Sequence, residues 1–156
     1  LNSMIRELSL LNQVIIIDEH LSHEELLNLL AAADVYISLH RGEGLGLGML
    51  EAMSVGTPVV CTNYGGNLDF CKPDTAFLVN YKMRPCNDDF YAYRFVKEWA
   101  EPDVNQAADY LRQIYENPDL GKAKAAAAKA FIEDFYSAQN FEKDIRFLME
   151  KMGTER

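Results

Sequence analysis

Three short apolar runs, Val14-Ile15-Ile16-Ile17, Val35-Tyr36-Ile37-Ser38-Leu39 and Val59-Val60-Cys61-Thr62, alternate with segments of helical character. The first is continuous and β-branched rather than alternating, which is the pattern of a strand covered on both faces. Ser22-His23-Glu24-Glu25 is a capping box that opens a helix over residues 23–33, because the serine and the acid three residues later satisfy free amides reciprocally. A second helix is expected from Leu47 to Val55, ended by Gly56-Thr57-Pro58, and Ala76-Phe77-Leu78-Val79 reads as a fourth short strand. Strands and helices joined by short links predict an α/β fold. Its core is a Rossmann-like parallel sheet wound by right-handed crossovers and flanked by helices.

The ends of the chain are less regular. Leu1, Ile5, Leu8 and Leu11 give residues 1–11 a helical period. Residues 81–100, with Pro85, Asp88-Asp89 and several aromatics, read as a long ordered loop or an insertion. From Asp103 onward only helices are expected: Asp103 with Gln106 as an N-cap pair, Asn117-Pro118 starting the next, and Ser137 capping a third with Phe141, Ile145 and Leu148 as its apolar stripe.

With 156 residues the chain is expected to form one domain, spanning 1–156. Lys and Arg total 15 against 24 Asp and Glu, a net charge of -9, so the uniform basic footprint of a nucleic-acid binder is missing. No apolar run approaches the roughly 20 residues that cross a bilayer, and no secretory signal pattern is present. Cys61, Cys71 and Cys86 have no metal-type spacing and are expected as thiols in a reducing, cytoplasmic setting. The first residue is Leu1 rather than Met, as expected of a piece cut from a longer polypeptide.

Chemistry concentrates in His40-Arg41-Gly42-Glu43-Gly44-Leu45-Gly46-Leu47-Gly48-Met49-Leu50-Glu51, where a strand passes into a helix. In open α/β sheets that edge binds ligands, and a helix N-terminus behind glycines holds phosphate. The spacing is not that of a dinucleotide fingerprint, since neither Gly42-x-Gly44 nor Gly44-x-Gly46 has a glycine three residues on, and no Gly-Lys-Ser or Gly-Lys-Thr follows. Glu43 and Glu51 each fit two roles from the residues alone. A carboxylate accepts from a pair of adjacent sugar hydroxyls, or it merely complements a helix N-terminus. Arg41 fits a phosphate partner or a solvated loop start, and His40 a sugar contact or the filling of a strand end. Asn67, in the second glycine turn Tyr64-Gly65-Gly66-Asn67, fits a ligand contact or a turn former. His23 reads as a surface residue.

Glu43, seven intervening residues and Glu51, then Ala52-Met53, two residues and Gly56-Thr57-Pro58-Val59-Val60, are similar to a known signature. It is that of the retaining glycosyltransferases of GT-B architecture, family four, the glycosyl transferases group 1. The resemblance covers residues 13–79 well, including Ala33-Asp34-Val35-Tyr36-Ile37-Ser38 upstream and Tyr64-Gly65-Gly66-Asn67 downstream. It extends more loosely to Trp99-Ala100-Glu101-Pro102-Asp103 and the helices beyond.

The resemblance implies one half of a GT-B fold, the C-terminal domain that binds a nucleoside diphosphate sugar, with no cofactor and no metal. It implies that Glu43 holds hydroxyls of the donor sugar near the reacting carbon, as the catalytic residue, and that Glu51 binds the ribose. Gly44, Leu45, Gly46 and Leu47 would meet sugar and diphosphate through backbone amides, with Arg41 and His40 beside them. Leu45 departs from the family, which usually has an aromatic there, and the family's basic residues for the leaving diphosphate would lie upstream of residue 1. The implied partners are the donor, the N-terminal acceptor domain of the same polypeptide and, for the full-length enzyme, a membrane surface, but no nucleic acid. The piece alone is then expected to be inactive. Two other readings share the architecture, a nucleotide-sugar epimerase and a non-catalytic module that kept the fold.

Overall fold

A computed structural model describes residues 5, 7–10, 12–86 and 95–153. Its elements run α1 (His23–Ala32), β1 (Tyr36–Ser38), α2 (Leu47–Val55), β2 (Val59–Thr62), a 3-10 turn (Gly66–Asp69) and β3 (Phe77–Val79). They continue with β4 (Tyr81–Pro85), β5 (Glu98–Pro102), α3 (Val104–Glu116), α4 (Pro118–Phe135) and α5 (Ala138–Gly153).

The local signals act where the sequence places them. The Ser22 side chain accepts from the Glu25 amide while the Glu25 carboxylate takes the Ser22 amide at 2.8 Å, closing the capping box at the head of α1. The Ser22 hydroxyl, which donates to the Glu25 carboxylate at 2.7 Å, and then the Ser22 amide hold the Glu25 carboxyl below its ordinary value. Gly56 ends α2 with φ 86°, the left-handed conformation in which a Cβ is penalised. Asp103 Oδ1 accepts from the amides of Asn105 and Gln106, each at 3.1 Å. Ser137 Oγ accepts from the Asn140 amide at 3.2 Å, while Asn117 makes no side-chain cap for α4.

Strands β1, β2 and β3 pair in parallel in that order, with Ile37 opposite Val60 and Val60 opposite Phe77. Both faces of the sheet are covered, and β2 shows why its run is continuous. Val59 and Cys61 join Met49, Ala52, Met53, Phe70, Ala128 and Ile132 in one core, so α2 and α4 lie on that side. Val60 turns the other way to Val79, Ala107 and Ile114, so α3 closes the second face. Thr57, nearly fully buried behind α2, donates from Oγ1 to the Leu30 carbonyl at 2.7 Å and ties the end of α1 to the start of β2.

Two expectations are corrected. Val14-Ile15-Ile16-Ile17 forms no strand and is exposed, Ile15 by 90%, because the described residues place neither a neighbouring strand nor a covering helix on it. Residues 81–100 are not simply irregular: β4 and β5 form an antiparallel hairpin with Met83 opposite Ala100. On α5, Phe141 and Ile145 of the expected stripe are exposed. Leu1, Leu11, Asp88, Asp89 and the side chain of Leu148 lie outside the described residues. No helix among the described residues is long and apolar enough to cross a membrane.

Candidate functional site

The loop leaving β1 is fastened to its neighbours before it reaches the glycines. His40 Nε2 donates to the Tyr64 carbonyl at 2.7 Å, and its Nδ1 faces the Ser38 hydroxyl at 3.2 Å, so both ring nitrogens are engaged within the protein. The His40 carbonyl accepts from the Thr62 hydroxyl at 2.7 Å, which joins the carboxyl ends of β1 and β2. Arg41 turns to the hairpin. Its Nε and Nη2 grip the Glu101 carboxylate at 2.7 and 3.0 Å, its guanidinium lies 4.7 Å from the Trp99 ring centroid, and its carbonyl accepts from the Ala100 amide at 3.2 Å. The hydrogen bonds from Arg41 hold the Glu101 carboxyl below its ordinary value and push the Arg41 guanidinium up. A cavity of about 520 Å³ lies between this loop and the hairpin, lined by Leu39, His40, Arg41, Tyr64, Glu98 and Trp99 among others.

Each glycine has its own explanation. Gly46 is the N-cap of α2 with φ 93°, in the left-handed region, and no side chain caps the helix there. Gly66 lets two loops touch: a Cβ on it would stand 1.8 Å from the Gly44 carbonyl oxygen. Its amide donates to the Glu43 carbonyl at 2.9 Å, so the second glycine turn is locked onto the first. Gly48 leaves room for a side chain from β1, since its Cβ would lie 2.6 Å from the Tyr36 hydroxyl. Gly42 and Gly44 differ: a Cβ on either meets nothing within 4 Å, and neither has positive φ. The fold alone does not require glycine at those two positions.

Glu43 and Glu51 stand at the two ends of this turn. Half-buried Glu43 accepts the Gly46 amide on Oε1 at 3.1 Å, and among the described residues nothing bonds to its Oε2. Glu51 is four residues past Leu47 on α2, its side chain 23% exposed, with His23 Nδ1 at 3.6 Å. It therefore faces neither bulk water nor the apolar core. Leu45 and Leu47 are exposed on either side of buried Gly46. Asn67 is fully buried, its Nδ2 donating to the Thr62 carbonyl at 3.2 Å and lying 3.6 Å from Cys61 Sγ. Its Oδ1 has no partner, and its position beneath the turn makes it a support rather than a surface contact.

Three side chains outside the expected set stand beside the loop: Tyr36 under α2, and Trp99 and Glu101 on the hairpin. Arg41 and Glu101 are 60 residues apart, and no local pattern announces such a pair. His23 is 71% exposed, as a surface residue should be, yet reaches Glu51. Among the described residues no group of three or more His, Cys, Asp or Glu could hold a metal ion.

What this arrangement offers is an uncapped helix N-terminus, carrying partial positive charge, between two hydroxyl-accepting carboxylates. Comparison with known proteins bears on its use. The family model described as "Glycosyl transferases group 1" matches residues 1–84. A GDP-mannose-dependent monoacylated alpha-(1-6)-phosphatidylinositol monomannoside mannosyltransferase from Corynebacterium glutamicum is 27% identical over 124 residues, 75% of this chain and 27% of that protein. Among solved structures, sucrose-phosphate synthase from Thermosynechococcus elongatus superposes with TM-score 0.73 at 19% identity, over 99% of this chain and 34% of that one. HepE of Anabaena, in complex with UDP-glucose, gives TM-score 0.72 at 18% identity, over 96% of this chain and 35% of that one. The C-terminal domain of a glycosyl transferase group 1 family protein from Francisella tularensis gives 0.67 at 21%, over 88% of this chain and 60% of that one. The chain thus spans about a quarter of the curated relative and about a third of the first two structures. At these identities the structures speak to the fold, which they share.

Proposed function

We propose, from the premise that this chain belongs to the glycosyl transferases group 1, that it is the donor-binding half of an enzyme that transfers a sugar from a nucleoside diphosphate sugar with retention. On this reading residues 1–156 are one nucleotide-sugar-binding domain. The acceptor is presented by a preceding N-terminal domain of the same polypeptide, and this piece alone turns over little.

The observation that carries the reading is the uncapped start of α2 at Gly46, with Glu43 and Glu51 on either side and Gly42 and Gly44 left bare without need from the fold. A backbone with no Cβ in its way accepts a close ligand. The diphosphate then sits on the Leu47 amide at the head of α2, with those of Gly44 and Leu45 beside it, while the Gly46 amide stays with Glu43. Glu51 takes the ribose hydroxyls, and Glu43 takes hydroxyls of the sugar near the reacting carbon. As the anomeric bond to the diphosphate breaks, negative charge gathers on the phosphate, and donors already fixed in place stabilise it without reorganising. Arg41 contributes less than its charge suggests, because Glu101 already holds it. Its role is to hold the loop's entry. His40, with both nitrogens engaged, meets a ligand only through its ring edge.

The test is a panel of nucleoside diphosphates against the full-length protein, read by thermal denaturation. A ligand at 100 times its dissociation constant adds about 2.7 kcal/mol to stability. Glu43→Gln should abolish transfer while nucleotide binding survives, and Glu51→Gln should weaken the nucleotide itself. No stabilisation by any nucleoside diphosphate would leave the non-catalytic reading in its place. Conversion of donor without an acceptor would favour the epimerase.

A further inference from the structure

We infer that the Tyr36 hydroxyl is a further donor-binding group, giving a hydrogen bond to a phosphate oxygen of the nucleoside diphosphate held at the start of α2. The inference rests on the donor-site reading above and names a residue that reading does not use. Tyr36 opens β1, and its ring runs beneath α2 against the core that contains Met49 and Ala52. Its hydroxyl ends beside Gly48, the second residue of α2, at a place where any larger residue would collide with it.

A phenol that merely filled the core would bury its hydroxyl against a protein acceptor, since a buried O–H usually finds a partner. The hydroxyl of half-buried Tyr36 makes no hydrogen bond among the described residues, whereas Thr57 and Thr62 nearby in the same fold are both paired. Burial first, and then the charges of Glu43 and Glu51, push the phenol up from its ordinary value, so it stays protonated and remains a donor. Among the described residues a neutral side-chain donor here complements the backbone amides. A diphosphate lying between two carboxylates is repelled by both, and among the described residues Arg41 is occupied by Glu101, so backbone amides are its main partners there. One neutral O–H aimed at the first turn of α2 adds a donor at no cost in desolvated charge.

Two variants test this in the full-length protein, with UDP and GDP as probes, read by calorimetric titration and thermal melting. Tyr36→Phe keeps the ring and its packing. It should weaken binding of the better nucleotide about tenfold, the worth of one hydrogen bond to a charged acceptor, with the melting temperature unchanged. Gly48→Ala keeps the hydroxyl but drives it aside, and alanine suits a helix better than glycine, so affinity should fall in the same direction while stability holds. Equal nucleotide affinity in Tyr36→Phe and the unaltered protein overturns the inference and leaves the donor reading standing. So does a loss of affinity that only tracks a lowered melting temperature. Failure of the unaltered protein to bind either nucleotide removes both.

Discussion

The contact between the two glycine loops makes a strong demand on residue 66. A methyl group there would stand 1.8 Å from the Gly44 carbonyl oxygen, 2.7 Å from its carbon and 3.3 Å from the Leu45 nitrogen, all backbone atoms that cannot swing away. Real Cβ contacts begin near 3.0 Å, so Gly66→Ala must push the loops apart by about 1.2 Å. The hydrogen bond from the Gly66 amide to the Glu43 carbonyl, 2.9 Å long, then exceeds bonding range. Its loss costs about 1 kcal/mol, and the strain of the insertion about 1–3 kcal/mol more. A total of about 3 kcal/mol lowers the melting temperature by roughly 6–12 °C in a domain of this size. Glu43 moves with its carbonyl, so on the proposed donor-site reading sugar-dependent binding should fall as well. The control is Gly42→Ala in the same loop system, which meets nothing within 4 Å and should stay within about 0.5 kcal/mol of the parent. Paired melting curves decide the matter. If the two variants melt together, the loops are not in contact and the account of Gly66 fails.

Glu51→Gln should reduce nucleotide-induced stabilisation yet leave the unliganded protein within about 1 kcal/mol, because the carboxylate's partner is the exposed His23; melting with and without nucleotide reads both. Glu101 has a folded pKa below its ordinary 4.5, so its pairing with Arg41 contributes stability above that pH and loses it as pH falls through the folded value. Denaturation midpoints of parent and Glu101→Gln should therefore converge as pH falls below 4.5, and a gap that widens in acid would contradict the pairing. Thr57→Val strands the Leu30 carbonyl in the core and should cost about 1–2 kcal/mol in urea unfolding, with the slope unchanged.

What the sequence disclosed and what it concealed divide along physical lines. Helix ends are local events, so the Ser22 capping box, the Gly56 terminus and the Asp103 cap were all readable from a few adjacent residues. The strand–loop–helix that carries Glu43 and Glu51 was readable for the same reason. The Val14–Ile17 run misled because a continuous apolar stretch states a preference for burial, whereas burial itself depends on what other segments supply. The hairpin stayed hidden because Pro85 and Pro102, which lack an N–H, occur in its two strands and imitate loop punctuation. At the site, the Arg41 fork to Glu101 and the nesting of Tyr36 against Gly48 join residues brought together only by the tertiary fold.

The stretch Val14–Ile17 and the outer edge of β1 have a practical consequence for anyone who handles this chain alone. Among the described residues, that edge presents backbone groups with no neighbouring strand, and the isoleucines present oil to water. Two molecules that meet can satisfy both needs at once, one lending a strand and the other a greasy cover. Concentration, more than heat, then governs how long a preparation stays clear.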